Sequence, residues 1–228
     1  MKLIVVEGVD GAGKSTQIKL LKDFFEHKGY KCEYLHFPRT ETPYFGELIA
    51  RFLRGEFGSL NEVSPWLVAM LYAGDRKDAA ESIRNWLQQG TIVLLDRYTF
   101  SNIAYQCAKL DVPAEQESLM KWIMNLEFSH FSIPVPDLNI FLDVPLSFTR
   151  EKLSAARTGE DRDYLNGTKD IHEGSLTFQA KVREMYLKVS RADDLLCVVN
   201  CSDQKGEMLP VNSIFKLITE IITERKLI

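Results

Sequence analysis

The chain has 228 residues, of which 45% are hydrophobic and 26% are charged, and its formal net charge is −4. This length and composition are typical of one globular domain that buries a core without a disulfide or metal staple. The acidic balance argues against general affinity for a nucleic acid polymer, whose phosphates favour a basic surface. We find neither an apolar stretch long enough to span a bilayer nor a signal peptide. We therefore expect a cytoplasmic protein with no membrane partner.

Short apolar runs rich in Val, Ile and Leu alternate with helical patterns along the chain. The runs predict strands over residues 2–7, 32–37, 91–95, 138–142 and 195–199. Helices are predicted over residues 14–28, 43–53, 61–88, 113–129, 146–156, 175–190 and 211–224. Because the runs lack strict polar alternation, they fit parallel strands that are covered by helices on both faces. The sequence therefore predicts a three-layer α/β/α fold with a five-stranded parallel sheet.

Residues 157–174 (RTGEDRDYLNGTKDIHEG) interrupt this alternation with glycines, many charged residues and few apolar ones. Such a segment fits either a solvated surface loop or a mobile lid that closes over phosphates. Since no linker or repeat is visible, we expect residues 1–228 to form a single domain, with residues 157–174 as its lid.

Residues 8–15 (GVDGAGKS) match the phosphate-loop (P-loop) pattern G-x-x-x-x-G-K-[ST] between a predicted strand and an amphipathic helix. Glycines allow the backbone N–H groups to point at one anion, and the helix that follows adds the positive end of its dipole. The Lys14 ammonium can reach the β- and γ-phosphates, and the Ser15 hydroxyl can ligate Mg²⁺. The motif predicts an ATP or GTP site made of Gly8, Val9, Asp10, Gly11, Ala12, Gly13, Lys14, Ser15 and Thr16.

Asp96 directly follows the third predicted strand (VLLD). An acid at the end of a parallel strand can face the crevice where open α/β sheets bind ligands, although a lone aspartate there can also cap a helix. Beside a P-loop, Asp96 can hold Mg²⁺ directly or through water, as a Walker-B acid does. We predict a metal site formed by Ser15 and Asp96.

Four blocks occur in order along the chain: GVDGAGKST at residues 8–16, FPR at 37–39, GDR at 74–76 and DRYTFSNIAYQ at 96–106. Together they resemble the thymidylate kinase family over roughly residues 1–190, and the D-R-Y-x-x-S block combined with the P-loop is the most specific part. The resemblance implies a P-loop enzyme that uses ATP and Mg²⁺ to phosphorylate thymidine monophosphate to the diphosphate. It also implies a homodimer built by helix packing.

Three arginines, Arg39, Arg76 and Arg97, are predicted at strand ends and helix faces around one crevice. A guanidinium presents a planar fork of donors that matches phosphate oxygens. Two anionic nucleotides would repel each other without such cations. The three arginines therefore favour a nucleoside monophosphate as acceptor over a neutral nucleoside.

Tyr72 lies one helical turn before Arg76, so both side chains can face the same side of the helix. The resemblance implies that Tyr72 stacks on thymine and that Arg76 bonds a carbonyl of the base, and we expect Phe37 to form the opposite wall. Further base and sugar contacts are implied for Ser101, Asn102, Tyr105 and Gln106. The Tyr105 ring could crowd a 2′-hydroxyl and so favour deoxyribose.

Phosphoryl transfer needs positioning and charge neutralisation more than covalent chemistry. We expect Lys14 and Arg97, together with Mg²⁺, to neutralise the moving γ-phosphoryl group. Asp10 is implied to lie near the 3′-hydroxyl of the acceptor, or to orient Arg39.

The lid completes the predicted catalytic set. Family members carry either an arginine inside the P-loop or a glycine there and an arginine in the lid, and Gly11 with Arg157 and Arg162 matches the second sort. Tyr164 resembles a lid tyrosine that approaches the substrate.

Two rival functions stay open at this point. The first is a kinase for another nucleoside monophosphate or for a deoxynucleoside. The second is an inactive nucleotide-binding regulatory protein. The apolar residues Trp66, Leu67, Met70 and Leu71 fit either the core or a dimer interface.

Overall fold

The computed structural model describes residues 2–154, 165, 170–172 and 175–227. In these ranges the strands β1 (Leu3–Glu7), β2 (Cys32–His36), β3 (Ile92–Asp96), β4 (Leu138–Asp143) and β5 (Leu196–Asn200) form one sheet. The strand order is β2-β3-β1-β4-β5, and every pairing is parallel. Strands β2 and β3 lie on one side of β1, and β4 and β5 lie on the other, so the order of the strands reverses direction at β1. Ligands bind beside such a switch point in open α/β sheets.

The helices of the described ranges are α1 (Lys14–His27), α2 (Phe45–Leu53), α3 (Pro65–Gln88), α4 (Thr99–Cys107), α5 (Pro113–Met124), α6 (Leu146–Ser154), α7 (Leu176–Ser190) and α8 (Val211–Glu224). A π-helical turn over Asn125–His130 continues α5. Among these helices, none has the length and apolar composition needed to cross a membrane.

Both faces of the sheet are covered, which explains the lack of polar alternation in the strands. Ile4 and Val6 of β1 pack on one face with residues of α1, α4 and α7. Leu3 and Val5 pack on the other face with residues of α3 and with Phe37. The predicted three-layer fold with a five-stranded parallel sheet is confirmed for the described part of the chain.

Three helix predictions differ from the structure. The helix predicted from residue 61 begins at Pro65, whose fixed φ and missing N–H suit the first helical position. The helix predicted to run to residue 129 is α-helical only to Met124 and then widens into the π-turn. The short helix α4, which carries much of the fourth motif, was not among the predicted elements.

Gly74 determines how α2 packs on α3. A Cβ atom at this position would lie 2.3 Å from the Phe45 ring, which is far inside van der Waals contact. The glycine of the G-D-R block therefore admits Phe45 and brings α2 close to the cavity described below.

Candidate active site

A cavity of about 1110 Å³ is bordered by residues that follow β1, β2 and β3. Most of the residues predicted from the sequence line it: Asp10, Gly11, Ala12, Gly13, Lys14, Ser15, Thr16, Phe37, Arg39, Tyr72, Arg76, Asp96, Arg97, Ser101, Asn102, Tyr105 and Gln106. Gly8 and Val9 are buried at the base of the P-loop. The predictions for Arg157, Arg162 and Tyr164 lie outside the described residues.

The P-loop has the backbone that an anion site needs. Gly11 and Gly13 adopt φ angles of 77° and 84°, in the left-handed region that glycine tolerates. Helix α1 begins at Lys14, and its N-cap residue, Gly13, has no side chain that could cap the first turn. The first backbone N–H groups of a helix lack intrahelical partners, so they can bind a phosphate here.

Three oxygen atoms of the chain lie near the Lys14 ammonium group. Its Nζ atom lies 3.3 Å from the Val9 carbonyl oxygen, 3.5 Å from that of Gly8 and 3.9 Å from Asp96 Oδ1. Burial, together with the nearby charge of Arg97, lowers the pKa of Lys14 to about 8. An incoming phosphate would supply the negative charge that the buried ammonium needs.

Asp96 has one satisfied and one unsatisfied carboxylate oxygen. His36 Nδ1 lies 3.5 Å from Oδ2. Within the described part of the chain, Oδ1 is buried and has no hydrogen-bond partner. A buried carboxylate oxygen without a hydrogen bond, in the cavity that the exposed Ser15 also lines, is the kind of ligand that a hard divalent cation takes.

Arg97 and Asp10 form an ion pair between the end of β3 and the P-loop. Arg97 Nη2 lies 2.6 Å from Asp10 Oδ1, and Arg97 Nη1 donates to the Gly8 carbonyl oxygen at 3.0 Å. Burial alone would raise the pKa of the Asp10 carboxyl, but the charges of Arg97 and Lys14 outweigh burial and hold it well below its usual range. The backbone φ of Arg97 is 69°, an uncommon value for a residue with a side chain that is often found at functional sites.

In the structure, Asp10 and Arg39 each have a different ion-pair partner, so the alternative that Asp10 orients Arg39 gains no support. Asp10 pairs with Arg97, and Arg39 pairs with the buried Asp75 at 2.8 Å. Asp75 is the central residue of the G-D-R block, so this block supplies an anchor for the arginine of the F-P-R block.

Arg76 lines the cavity but is held by a second buried carboxylate. Its Nε and Nη2 atoms donate to Glu127 Oε2 and Oε1 at 2.6 and 2.7 Å. Thr99 and Asn102 donate to the same carboxylate at 2.9 and 3.0 Å. Glu127, which lies in the π-turn after α5, therefore joins two of the predicted base contacts.

Aromatic side chains form the walls of the same region. Tyr72 packs against the apolar cluster of Ile49, Phe52, Leu53 and Val68. Phe37 is buried and contacts the Tyr98 ring at a centroid distance of 5.7 Å. The Tyr105 hydroxyl donates to Asp10 Oδ2 at 2.9 Å, so this ring is fixed beside the P-loop.

Ser101 and Gln106 line the cavity while being bound to neighbouring side chains. Ser101 Oγ donates to the buried carboxylate of Glu7 and lies 2.7 Å from the Tyr186 hydroxyl. Gln106 Oε1 accepts from Lys109 Nζ at 2.7 Å. The Ser101 hydroxyl thus ties the start of α4 to the end of β1.

Sequence reasoning missed four polar residues that position this site: Glu7, Asp75, Glu127 and Gln179. Gln179 is fully buried, and its Nε2 atom donates to Asp10 Oδ2 at 2.8 Å while its Oε1 atom accepts from the Asp10 backbone N–H at 3.2 Å. One signal was available for Glu127 and Gln179: each stands among apolar residues in a helical pattern, where a polar side chain needs a buried partner.

The chain was compared with known proteins. Residues 6–209 match the family model described as thymidylate kinase. A probable thymidylate kinase from Thermococcus kodakarensis is 32% identical over 227 residues, covering 97% of this chain and 98% of the relative. The thymidylate kinase of Mycobacterium tuberculosis (strain CDC 1551 / Oshkosh) is 32% identical over 188 residues, covering 82% of this chain and 85% of the relative.

A solved structure of thymidylate kinase from Candida albicans superposes with a TM-score of 0.72 at 26% sequence identity, covering 99% of this chain and 92% of that one. The family model spans most of the chain. The phosphate loop and the arginine-bearing blocks of the chain line one cavity. The chain therefore belongs to the thymidylate kinase family.

Proposed function

We propose that different residues of the cavity bind different parts of the two nucleotides in the reaction of this family. In this reaction ATP donates its γ-phosphate to thymidine monophosphate. Family membership makes the chain a phosphotransferase that forms ADP and thymidine diphosphate. The observation that carries the residue assignments is that Arg39, Arg76 and Arg97 reach the same cavity as the P-loop.

The P-loop binds the phosphates of ATP. The backbone amides at the start of α1 bind this anion. Lys14 lies next to them, and its burial makes a negatively charged ligand favourable. As the γ-phosphoryl group moves, Lys14 and Arg97 stabilise the negative charge on its oxygens.

Ser15 and Asp96 fit a Mg²⁺ site. Asp96 Oδ1, which has no hydrogen-bond partner among the described residues, and the exposed Ser15 are oxygen donors of the type that this cation prefers. When held by these two residues, the cation would neutralise part of the charge of the phosphates.

Arg39 and Arg97 hold the phosphate of the acceptor. Both guanidiniums are oriented by carboxylates, Asp75 and Asp10, so their remaining N–H groups are fixed before the acceptor arrives. Preorganised donors lose less conformational entropy on binding than mobile ones. Asp10 acts through Arg97, because its lowered pKa makes it a poor proton acceptor.

The acceptor base lies between Phe37 and Tyr72, beside Arg76 and Asn102. Asn102 Oδ1 is buried and has no hydrogen-bond partner among the described residues, and Arg76 Nη1 donates to none of them. A donor from Arg76 and an acceptor from Asn102 match the O4 carbonyl and the N3–H group of thymine. Tyr105 lies beside Asp10 and is proposed to crowd a 2′-hydroxyl.

The lid residues Arg157, Arg162 and Tyr164 complete this assignment. We propose them on the sequence pattern alone, in which a glycine at position 11 is matched by lid arginines. Their role is to bring further positive charge to the transferring group.

A homodimer is proposed through α3. Trp66 packs against Trp122, and Leu71 is half-buried. Leu67 and Met70 are 65% and 39% exposed, and apolar side chains of this size on one helix face favour an interface. Light scattering would test the assembly, with Leu67→Glu as the disrupting variant and Lys77→Glu, an exposed position further along the same helix, as the control. A wild-type chain that elutes as a monomer would contradict the proposal.

The decisive experiment measures ADP release with a panel of acceptors. Initial rates are compared for dTMP, dUMP, dCMP, dGMP and thymidine at saturating ATP and Mg²⁺. We expect the highest kcat/KM with dTMP. A preference for thymidine would indicate a deoxynucleoside kinase, and ATP binding without ADP release for any acceptor would indicate a regulatory protein.

A further inference from the structure

The carboxylate of Glu127 is saturated by donors from three residues, one in α3 and two in α4. Its Oε2 atom accepts from Arg76 Nε at 2.6 Å and from Thr99 Oγ1 at 2.9 Å. Its Oε1 atom accepts from Arg76 Nη2 at 2.7 Å and from Asn102 Nδ2 at 3.0 Å. A carboxylate offers about four lone-pair sites, so every site of this fully buried group is used.

These contacts determine which way the Asn102 amide points. Asn102 Nδ2 donates to the Ala69 carbonyl oxygen at 3.0 Å as well as to Glu127. Since both neighbours are acceptors, the amide atom between them must be the nitrogen. The oxygen is thereby left as the part of Asn102 that can accept a hydrogen bond from a ligand, and it has no partner within the described ranges.

The same carboxylate fixes the plane of the Arg76 guanidinium. Two parallel hydrogen bonds hold the Nε and Nη2 edge, and such bidentate pairs restrict rotation. Nη1 is the remaining nitrogen, and no hydrogen bond joins it to the described residues. Glu127 thus leaves one donor on Arg76 and one acceptor on Asn102, and both residues line the cavity.

We propose that Glu127 is a positioning residue that sets the base specificity of the acceptor site. It does so by presenting Arg76 as a donor and Asn102 as an acceptor. The inference rests on the proposed function, in which these two residues contact the base.

The donor and acceptor pair discriminates between pyrimidines by chemistry. Thymine and uracil present a carbonyl oxygen beside an N–H group, which complements Arg76 and Asn102. Cytosine presents an amino group beside a bare ring nitrogen, which places a donor against a donor and an acceptor against an acceptor. Buried polar groups left unpaired in this way are strongly unfavourable, so a site of this kind rejects the wrong base.

The position of Glu127 in the fold supports a functional role over a stabilising one. Replacing a buried ion pair by apolar residues is often neutral or favourable, so stability alone is a weak reason to bury both charges. The residue also lies in a π-helical turn, an uncommon conformation that is frequent at functional sites.

The test is the substrate profile of Glu127→Gln, measured as kcat/KM for dTMP, dUMP and dCMP. The amide turns one acceptor oxygen into a donor, so it cannot accept from Arg76 Nε, Arg76 Nη2 and Asn102 Nδ2 at once. We expect the dTMP-to-dCMP ratio to fall at least about tenfold, with a raised KM for dTMP and an unchanged KM for ATP. The dTMP-to-dUMP ratio should stay at the wild-type value, because these bases differ only by a methyl group away from this edge.

Two further variants keep the test decisive. Thr99→Val removes one hydrogen bond to Glu127 without a change of volume, and we expect a fall in the dTMP-to-dCMP ratio of about threefold. Asp143→Asn is the matched control, because it alters another bidentate pair, in which Arg183 Nη2 donates to Asp143 Oδ2 at 2.8 Å, outside the cavity lining. Its base ratios should equal those of the wild type.

The outcomes separate the inference from the function on which it rests. Glu127→Gln with the wild-type KM for ATP and an unchanged dTMP-to-dCMP ratio would overturn the inference. If that variant does not fold, an unchanged ratio in Thr99→Val would overturn it instead. A wild-type chain that releases no ADP with dTMP or dUMP would refute the proposed function itself. If Arg76→Lys alters the ratio but neither Glu127→Gln nor Thr99→Val does, base reading stands and the role of Glu127 fails.

Discussion

Arg39 and Asp75 hold each other through both side-chain and backbone atoms. The Arg39 backbone N–H donates to Asp75 Oδ2 at 2.9 Å, Arg39 Nε donates to Oδ1 at 2.8 Å, and Arg39 Nη2 donates to the Asp75 carbonyl oxygen at 2.7 Å. The three contacts fasten the loop after β2 onto α3. They also leave the rest of the guanidinium facing the cavity in one direction.

Asp75→Asn is therefore expected to weaken acceptor binding. The amide keeps one acceptor oxygen, so either the backbone N–H or the Nε atom of Arg39 loses its partner and the guanidinium can turn away. We expect the KM for dTMP to rise about tenfold, with the KM for ATP unchanged, in steady-state assays. Asp111→Asn, which alters an exposed ion pair with Lys181, is the control. An unchanged KM for dTMP would show that Arg39 does not depend on Asp75.

Arg97→Lys should impair transfer more than binding. Lysine cannot donate to Asp10, to Gly8 and to a phosphate at the same time, because it lacks the planar fork of arginine. We expect kcat to fall about 10²-fold or more, since arginines that stabilise transferring charge have effects of this size or larger. Single-turnover rates would separate transfer from product release. A matched change at the half-buried Arg84, which lies outside the cavity lining, should leave the rate intact when it is Arg84→Lys.

Asp10→Asn should remove part of the acid sensitivity of the fold. The pKa of the folded Asp10 lies below its unfolded value, so the ionised group stabilises the fold above the unfolded pKa and loses this effect as the pH falls below it. Urea unfolding of wild type and variant would be compared from pH 7 down to about pH 3. We expect the difference in unfolding free energy between them to shrink on the acid side, below about pH 4. Two curves that fall in parallel would contradict the prediction.

Gly74→Ala should destabilise the fold although alanine is the better helix former. In an exposed helix this change gains about 1 kcal/mol. Here the added Cβ would lie 2.3 Å from the Phe45 ring, and overpacking of this kind costs about 1–3 kcal/mol. Denaturant unfolding of the double variant with Phe45→Ala provides the control, because the penalty should disappear once the ring is gone. A more stable single variant would refute the packing argument.

Arg157→Ala and Arg162→Ala test the lid assignment made from the sequence. Each variant should lower kcat about 10²-fold or more with little change in nucleotide affinity, because a lid arginine acts on the charge of the transferring group. Binding would be measured by calorimetry and turnover by ADP release. If both variants turn over at the wild-type rate, the lid prediction is wrong.

The motifs predicted the cavity well because the local sequence determines their geometry. The second glycine of the G-x-x-x-x-G-K-[ST] pattern, Gly13, adopts a left-handed φ of 84°, and a helix begins at the Lys14 that follows it. The positions of Asp96 and Arg97 were predictable because they come at the end of a short apolar run, and such runs form strands of a parallel sheet that is covered on both faces.

The partners of the arginines could not be predicted in the same way. Asp75 and Glu127 are 36 and 51 residues away from the arginines that they bind, so their pairing exists only in the tertiary structure. Helix α4 was missed because nearly all of its residues are buried, which removes the polar face that marks an amphipathic helix. The start of α3 was predictable in principle, since Ser64-Pro65 carries a helix-start signal.

The three guanidiniums of the cavity come from the loop after β2, from α3 and from the end of β3. A chain in which β3 has not yet inserted between β1 and β2 cannot bring them together, so only the native state can bind the nucleotide pair tightly. Ligands that bind only the native state raise its stability by mass action. The substrates should therefore shelter the enzyme from proteases and heat, and its lifetime should lengthen when its nucleotides are abundant.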